Sequence, residues 1–166
     1  MEAPIEIRPA ELRDSNSIRQ IALATWPATY AGLISDAGID AFLQANYSIE
    51  QIERTISAMA GGCLLASVDG RQVGYAMISR DRDGYAQLWT LYVLPELQRR
   101  GVGKALWDAV IVHARSIELD TMVVWVLAAN HPARRFYELQ GATFAGRKTF
   151  PVGVDEIEEV QYRLHV

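Results

Sequence analysis

The chain has 166 residues and a formal net charge of -4, with half of its residues hydrophobic and 22% charged. That composition excludes a disordered chain, and the length lies within the range of one domain able to bury a real core. The acidic balance excludes a general attraction to nucleic acid, so any site for a polyanion has to be local.

The N-terminal run Met1-Glu2-Ala3-Pro4-Ile5-Glu6 has neither a basic start nor an apolar core, and no apolar run reaches membrane-spanning length. A cytoplasmic protein without a membrane partner is the expectation. Ile5 to Arg8 reads as a short strand. A helix follows whose apolar residues Ile18, Ile21, Ala22 and Ala24 to Trp26 share one face, with Pro27 as its expected limit. A second helical region spans about Asp36 to Ala45, and Ser48-Ile49-Glu50-Gln51 has the form of a capping box ahead of Ile52, Ile56 and Met59. Gly61-Gly62 ends that third helix. Cys63 to Val68 and Val73 to Ser79 read as antiparallel strands joined through Asp69-Gly70, and Asp81 to Gly84 as the turn into a long strand, Tyr85 to Val93. Cys63 is the only cysteine, so no internal disulfide is available, and its place in an apolar run points to an inert buried thiol.

Gln98-Arg99-Arg100-Gly101-Val102-Gly103-Lys104-Ala105 lies between that long strand and an amphipathic run, Val102 to Ile117. The first N–H groups of a helix have no partner within it, and the aligned peptide dipoles favour negative charge there. Gly101 and Gly103 let backbone approach a ligand closely, while Arg99, Arg100 and Lys104 add positive charge. A pyrophosphate is the implied guest, and a surface turn with purely geometric glycines is the alternative. Thr121 to Leu127 reads as the next strand. Asn130-His131-Pro132-Ala133-Arg134-Arg135-Phe136-Tyr137-Glu138-Leu139-Gln140-Gly141-Ala142 follows, with Asn130 as N-cap, Pro132 in the first turn and Gly141 as the stop. Two strands, near Ala142 to Phe150 and Glu158 to Val166, complete the chain, which has no linker or repeat.

These two segments resemble the pyrophosphate motif and the Asn-x-x-Ala-x-x-Phe-Tyr-x-x-x-Gly motif of the GNAT superfamily of acetyl-CoA-dependent N-acetyltransferases. Ile5 to Asp14 and Trp26 to Ile34 also look like that family's first strand and first helix pair, so most of the chain is covered. The resemblance implies a single α/β (α+β) domain over residues 1–166. Its mixed central sheet would have about six to seven strands flanked by helices, with the central parallel strands splayed apart. It implies acetyl-CoA (coenzyme A) as cofactor, held by Gln98 to Ala105, with the pantetheine arm pairing to backbone at Leu91 and Val93 and the acetyl oxygen accepting the Val93 N–H. Asn130 would contact the arm from the other side. Phe136 would pack near it, although a Phe at helical spacing is also ordinary core.

Direct transfer needs a neutral amine, charge stabilisation at the thioester oxygen and a proton for the departing thiolate. A phenol, with a reference pKa near 10, still holds its proton at neutral pH, and Tyr137 stands where the family places its general acid. Without that resemblance, a structural Tyr is an equal reading. Tyr85, Tyr92 and Tyr162 lack the context and read as structural. Many family members carry a Glu at the position of Gln87, and an amide cannot accept a proton from an ammonium. Asp36, Asp40, Asp81, Glu156 and His131 are the substitutes in view, none singled out, and the three histidines with one cysteine show no metal-ligand spacing. The family's acceptor pocket corresponds to Trp26, Tyr30, Trp89 and Phe150 to Glu159. Aromatic core and a solvated loop are the alternatives there, and the acidic run Asp155-Glu156-Ile157-Glu158-Glu159 has the charge to attract a cation.

The expected function is acetyl transfer from acetyl-CoA to a primary amine, either a small molecule or a peptide N-terminus, with a homodimer through the C-terminal strands implied by the resemblance. A non-catalytic acyl-CoA-binding or sensor module on the same fold, and a binder of a different nucleotide, are the competing readings.

Overall fold

A seven-stranded sheet organises the computed structural model, which describes residues 4–166. Met1 to Ala3, part of the segment on which the expectation of a leaderless N-terminus rests, lie outside the described residues. The strands are β1 (Ile5–Pro9), β2 (Cys63–Val68), β3 (Arg71–Arg80), β4 (Ala86–Val93), β5 (Thr121–Leu127), β6 (Thr143–Val152) and β7 (Asp155–His165). Their order across the sheet is β1-β2-β3-β4-β5-β7-β6. The helices are α1 (Ser15–Tyr30), α2 (Asp36–Asn46), α3 (Ile49–Ala58), α4 (Val102–Ser116) and α5 (His131–Leu139).

Local chemistry explains most of these boundaries. Asp69 and Gly70 both take positive φ, 49° and 75°, which lets the β2–β3 hairpin turn with the twist of its strands. Ser48 caps α3 by accepting the Gln51 N–H at 3.2 Å, and Asn130 caps α5 by accepting the Ala133 N–H at 3.3 Å. Ser35 does the same for α2, accepting from Gly38 at 3.0 Å.

Two expectations need correction. Pro27 does not limit α1, which continues to Tyr30. The proline lies on the exposed face, where water can solvate the Leu23 carbonyl that loses its helical donor. The acidic run Asp155 to Glu159 is not a solvated loop either. It opens β7, whose alternation turns Glu156 and Glu158 to solvent and Asp155, Ile157 and Glu159 inward.

The centre of the sheet creates the functional opening. β4 and β5 are parallel neighbours joined by the crossover helix α4, but they pair only at Ala86–Met122, Gln87–Val123 and Leu88–Val124. On its other edge β4 stays paired with β3 as far as Val93–Gly74, with the register skipping Trp89 between Leu88 and Thr90. An extra residue bends and twists its strand, and here the bend coincides with the end of the β4–β5 ladder. The core beneath contains Ile18, Leu65, Tyr75, Ile78, Leu88, Leu106, Val110 and Met122. Leu106 ties α4 to this core and is fully buried, so Leu106→Ala is expected to cost about 2–5 kcal/mol. Urea unfolding measures this, and a loss below about 1 kcal/mol would show that α4 is not anchored through that side chain.

Candidate active site

A cavity of about 920 Å³ fills the gap between the diverging strands and reaches from the start of α4 to the β6–β7 hairpin. Its backbone edge is the outer half of β4. The Leu94 N–H donates to Val73 O on β3 at 2.9 Å. Successive amides along a strand point to opposite edges, so the Val93 N–H, and by the period of two the Leu91 N–H, point into the gap. Val93 O is also turned this way and accepts from Gln98 Nε2 at 3.1 Å, which fixes the strand end to the following turn.

That turn forms an anion cradle. Arg99 is held at φ 59° and Gly101 at φ 87°, a left-handed pair that reverses the chain into α4. The first bond across this start runs from the Ala105 N–H to Gly101 O at 2.9 Å, so the Val102, Gly103 and Lys104 amides precede any helical partner. Arg99, Gly101, Gly103 and Lys104 line the cavity, and Lys104 Nζ also pairs with Asp108. Three members of the expected set have a different place. Arg100 is exposed and off the lining, the Val102 side chain is buried in the core, and the Ala105 N–H is spent on Gly101. A Cβ built on Gly103 would stand 3.8 Å from Phe136 and 4.0 Å from Leu91 and Val93, in the space where the cradle meets the open strand edge. The free amides, the cation-lined mouth and this Cβ-free passage fit a diphosphate followed by an extended arm.

The opposite wall comes from α5, whose Asn130, Ala133, Phe136 and Tyr137 line the cavity. Tyr137 is only 7% exposed, its ring packing on Trp107, Phe136 and Tyr162. Burial, and secondarily the Tyr30 hydroxyl, hold its phenol above the ordinary value, so it remains protonated at neutral pH.

The far end is aromatic. Trp26 stacks on Phe42 with ring centres 4.3 Å apart, and the Tyr30 and Tyr92 hydroxyls share a hydrogen bond of 2.8 Å. Tyr92, expected to be purely structural, also lines the cavity. Trp89 stands at the rim, half exposed, with its Nε1 donating to Ser79 Oγ at 2.8 Å. Cys63 is buried away from this lining, and burial pushes its thiol up to about 12, as suits an inert side chain.

Gln87 lines the cavity, whereas Asp36, Asp40, Asp81, Glu156 and His131 do not. Asp81 is occupied with its own turn, accepting the amides of Asp83 and Tyr85. Among the described residues the one carboxylate on the lining is Glu159, the last residue of the segment Phe150 to Glu159 expected at the acceptor pocket, where it was not distinguished from its acidic neighbours. Its signal was available in the β7 period, where Ile157 and Glu159 fall on the inward face. Burial holds the Glu159 carboxyl above its usual value while Lys148, at 3.5 Å, pulls it down. Among the described residues no group of three or more His, Cys, Asp or Glu is arranged to hold a metal ion.

A split parallel pair beside a helix-start anion cradle defines a protein that holds an extended, phosphate-bearing cosubstrate. Residues 16–142 match the Acetyltransferase (GNAT) family. An uncharacterized N-acetyltransferase of Mycobacterium tuberculosis is 31% identical over 144 residues, covering 86% of this chain and 91% of the relative. A spermidine N(1)-acetyltransferase of Thermoplasma acidophilum is 30% identical over 61% of this chain and 65% of its own. A GCN5-related N-acetyltransferase of Rhodopseudomonas palustris superposes with a TM-score of 0.84 at 20% identity, over 100% of this chain and 98% of that one. A coenzyme A complex of the PaiA N-acetyltransferase of Thermoplasma acidophilum superposes with a TM-score of 0.80 at 22% identity, over 98% and 99% of the two chains. The chain belongs to the GNAT family of acetyltransferases.

Gly103→Val places branched carbon in the passage between the cradle and the β4 edge. Coenzyme A affinity is expected to fall at least about tenfold, or ~1.4 kcal/mol, with little change in the melting temperature of the free protein. Calorimetric titration measures it, and wild-type affinity in the variant would move the cosubstrate path elsewhere.

Proposed function

We propose that this chain is an N-acetyltransferase that carries the acetyl group of acetyl-CoA to a primary amine by direct attack within a ternary complex. The observation that carries the reading is the placement of a buried, protonated phenol, Tyr137, on the lining that the outward Val93 amide also enters. Acetyl-CoA supplies the acyl group as a thioester.

The chain's own residues would act as follows. The amides of Val102 to Lys104, with Arg99 and Lys104, hold the diphosphate, and Gln98 keeps the strand end in place. Leu91 and Val93 offer backbone to the pantetheine arm as an added strand would, with Asn130 and Phe136 opposite. The Val93 N–H donates to the thioester oxygen as negative charge develops there. Tyr137 then gives its phenolic proton to the departing thiolate. The desolvation that raises the phenol raises a thiolate in the same cavity as well, so the proton transfer remains matched.

The primary-amine class is supported by the aromatic far end around Trp26, Tyr30 and Trp89, and by the relative named for spermidine acetylation. On this reading residues 1–166 are one acetyltransferase domain, cytoplasmic, with amines rather than nucleic acid as partners. Gln87 favours a second reading, a non-catalytic acyl-CoA module, because an amide occupies a lining position where the family resemblance leads one to expect an acid.

Thiol release from acetyl-CoA with a panel of primary amines, measured for wild type and Tyr137→Phe, separates these readings. Amine-dependent release that falls at least about tenfold in the variant is expected. Equal turnover of the two proteins removes Tyr137 as the acid, and coenzyme A binding without turnover for any amine favours the module.

A further inference from the structure

The period of two along β5, β6 and β7 puts Trp125, Lys148, Phe150 and Glu159 on one face of the sheet, and all four line the cavity. Together they form a box around an ammonium group. Lys148 Nζ lies 4.1 Å from the centre of the Trp125 ring, 5.5 Å from that of Phe150, and 3.5 Å from Glu159 Oε2. Two aromatic faces and one carboxylate are what a primary ammonium requires, and here the molecule's own lysine provides it. Glu159 pairs in register with Leu127 on one side and Lys148 on the other. Tyr30 and Tyr137 line the same cavity as the box.

We propose that Trp125, Phe150 and Glu159 form the acceptor-ammonium site, that Lys148 is its built-in stand-in, and that Glu159 takes the proton which frees the acceptor amine. This rests on the acetyltransferase reading above. An alkylammonium entering the box displaces Lys148 toward solvent, to which that side chain is already 40% exposed, and the net charge inside is unchanged. One N–H bond of the ammonium breaks as its proton moves to the Glu159 carboxylate. The neutral nitrogen then forms the C–N bond while the C–S bond breaks, the sulfur takes the Tyr137 proton, and the remaining excess proton on nitrogen returns to the phenolate. Glu159 loses its proton to water when product leaves, so each turnover releases one proton. Gln87 then needs no basic role.

Burial keeps Glu159 less acidic than an ordinary glutamate, which suits a group that must accept a proton and release it each cycle. The groups facing it are Lys148 from β6 and the Tyr30 hydroxyl of α1, while its β5 neighbour Leu127 is apolar.

The test uses butylamine and 1,4-diaminobutane as probes. In wild type, kcat/KM for amine follows a bell against pH, rising through the Glu159 ionisation and falling through that of the amine. In Glu159→Gln it drops about 100-fold at neutral pH and climbs steadily toward the amine's own pKa, with coenzyme A affinity unchanged. Lys148→Met, which removes the internal competitor, lowers the amine KM at least about threefold. A Glu159→Gln variant that keeps the bell, or stays within about threefold of wild type, overturns the proton role. A KM that rises in Lys148→Met overturns the stand-in role. If neither probe turns over, quenching of tryptophan fluorescence by butylammonium in the coenzyme A complex decides. Equal quenching of wild type and Glu159→Gln, or none in either, overturns the site, whereas loss of coenzyme A binding by wild type would overturn the acetyltransferase reading instead.

Discussion

Everything functional in this molecule depends on a backbone constraint: peptide groups facing an interior need partners, and the β4 edge beyond Leu88 has none from β5. A continuous parallel sheet would consume those amides. By parting after the Leu88–Val124 pair, the sheet leaves a strip of strand with its hydrogen-bonding groups directed into a cavity. The other edge of β4 stays paired with β3 on both sides of the Trp89 bulge, as far as Val93–Gly74, which holds the strand on that side of the gap. The opening is therefore a property of the sheet, and the helices only line it.

The surrounding elements serve that opening in different chemical ways. At one end α4 presents amides and cations, and there the Arg99–Gly101 turn matters through its left-handed backbone. Along one side α5 presents Asn130, Phe136 and Tyr137, positioned by an N-cap that is itself part of the lining. At the other end the walls are apolar and aromatic, and burial raises the hydroxyls placed there, Tyr47 up to about 12. Negative charge is thus favoured at the α4 end and disfavoured at the aromatic end, an asymmetry that orients an elongated anionic ligand before any specific contact is made.

Much of this was legible in the sequence because the informative residues act locally. Gly101, Gly103 and Asn130 announce helix starts through backbone requirements that few other residues meet, and the Asp69-Gly70 turn does the same for its hairpin. The parting of β4 from β5 left no such mark. Leu88 to Val93 is an apolar and aromatic run broken only by Thr90, and nothing in it shows that pairing stops after its first residue. The positive φ of Arg99 was hidden for a similar reason, since the flanking geometry sets it and the residue type does not favour it. Arg100 and Ala105 lie off the cavity lining although they belong to the same motif, because a motif records neighbours in sequence and only some of them face one cavity. Glu159 was obscured by its acidic neighbours: the last strand was expected only from Glu158, whereas β7 begins at Asp155 and its alternation turns Glu159 inward with Ile157.

Pro27 leaves α1 one backbone bond short beside the aromatic wall. Upstream of it, α1 is anchored by Ile18, Ile21 and Ala22 in the core. The turn after it carries Tyr30 and lacks one rung of its hydrogen-bond ladder, because proline has no amide to offer the Leu23 carbonyl. That turn is held by the Ala31 N–H on Pro27 O, by the Leu33 and Ile34 amides donating to Tyr30 O, and by Tyr30 packing on Trp26 and sharing a hydrogen bond with Tyr92. The bond that proline omits lies on the exposed side of α1, so water takes the Leu23 carbonyl while the cavity face of the helix, with Trp26 and Tyr30, keeps its packing.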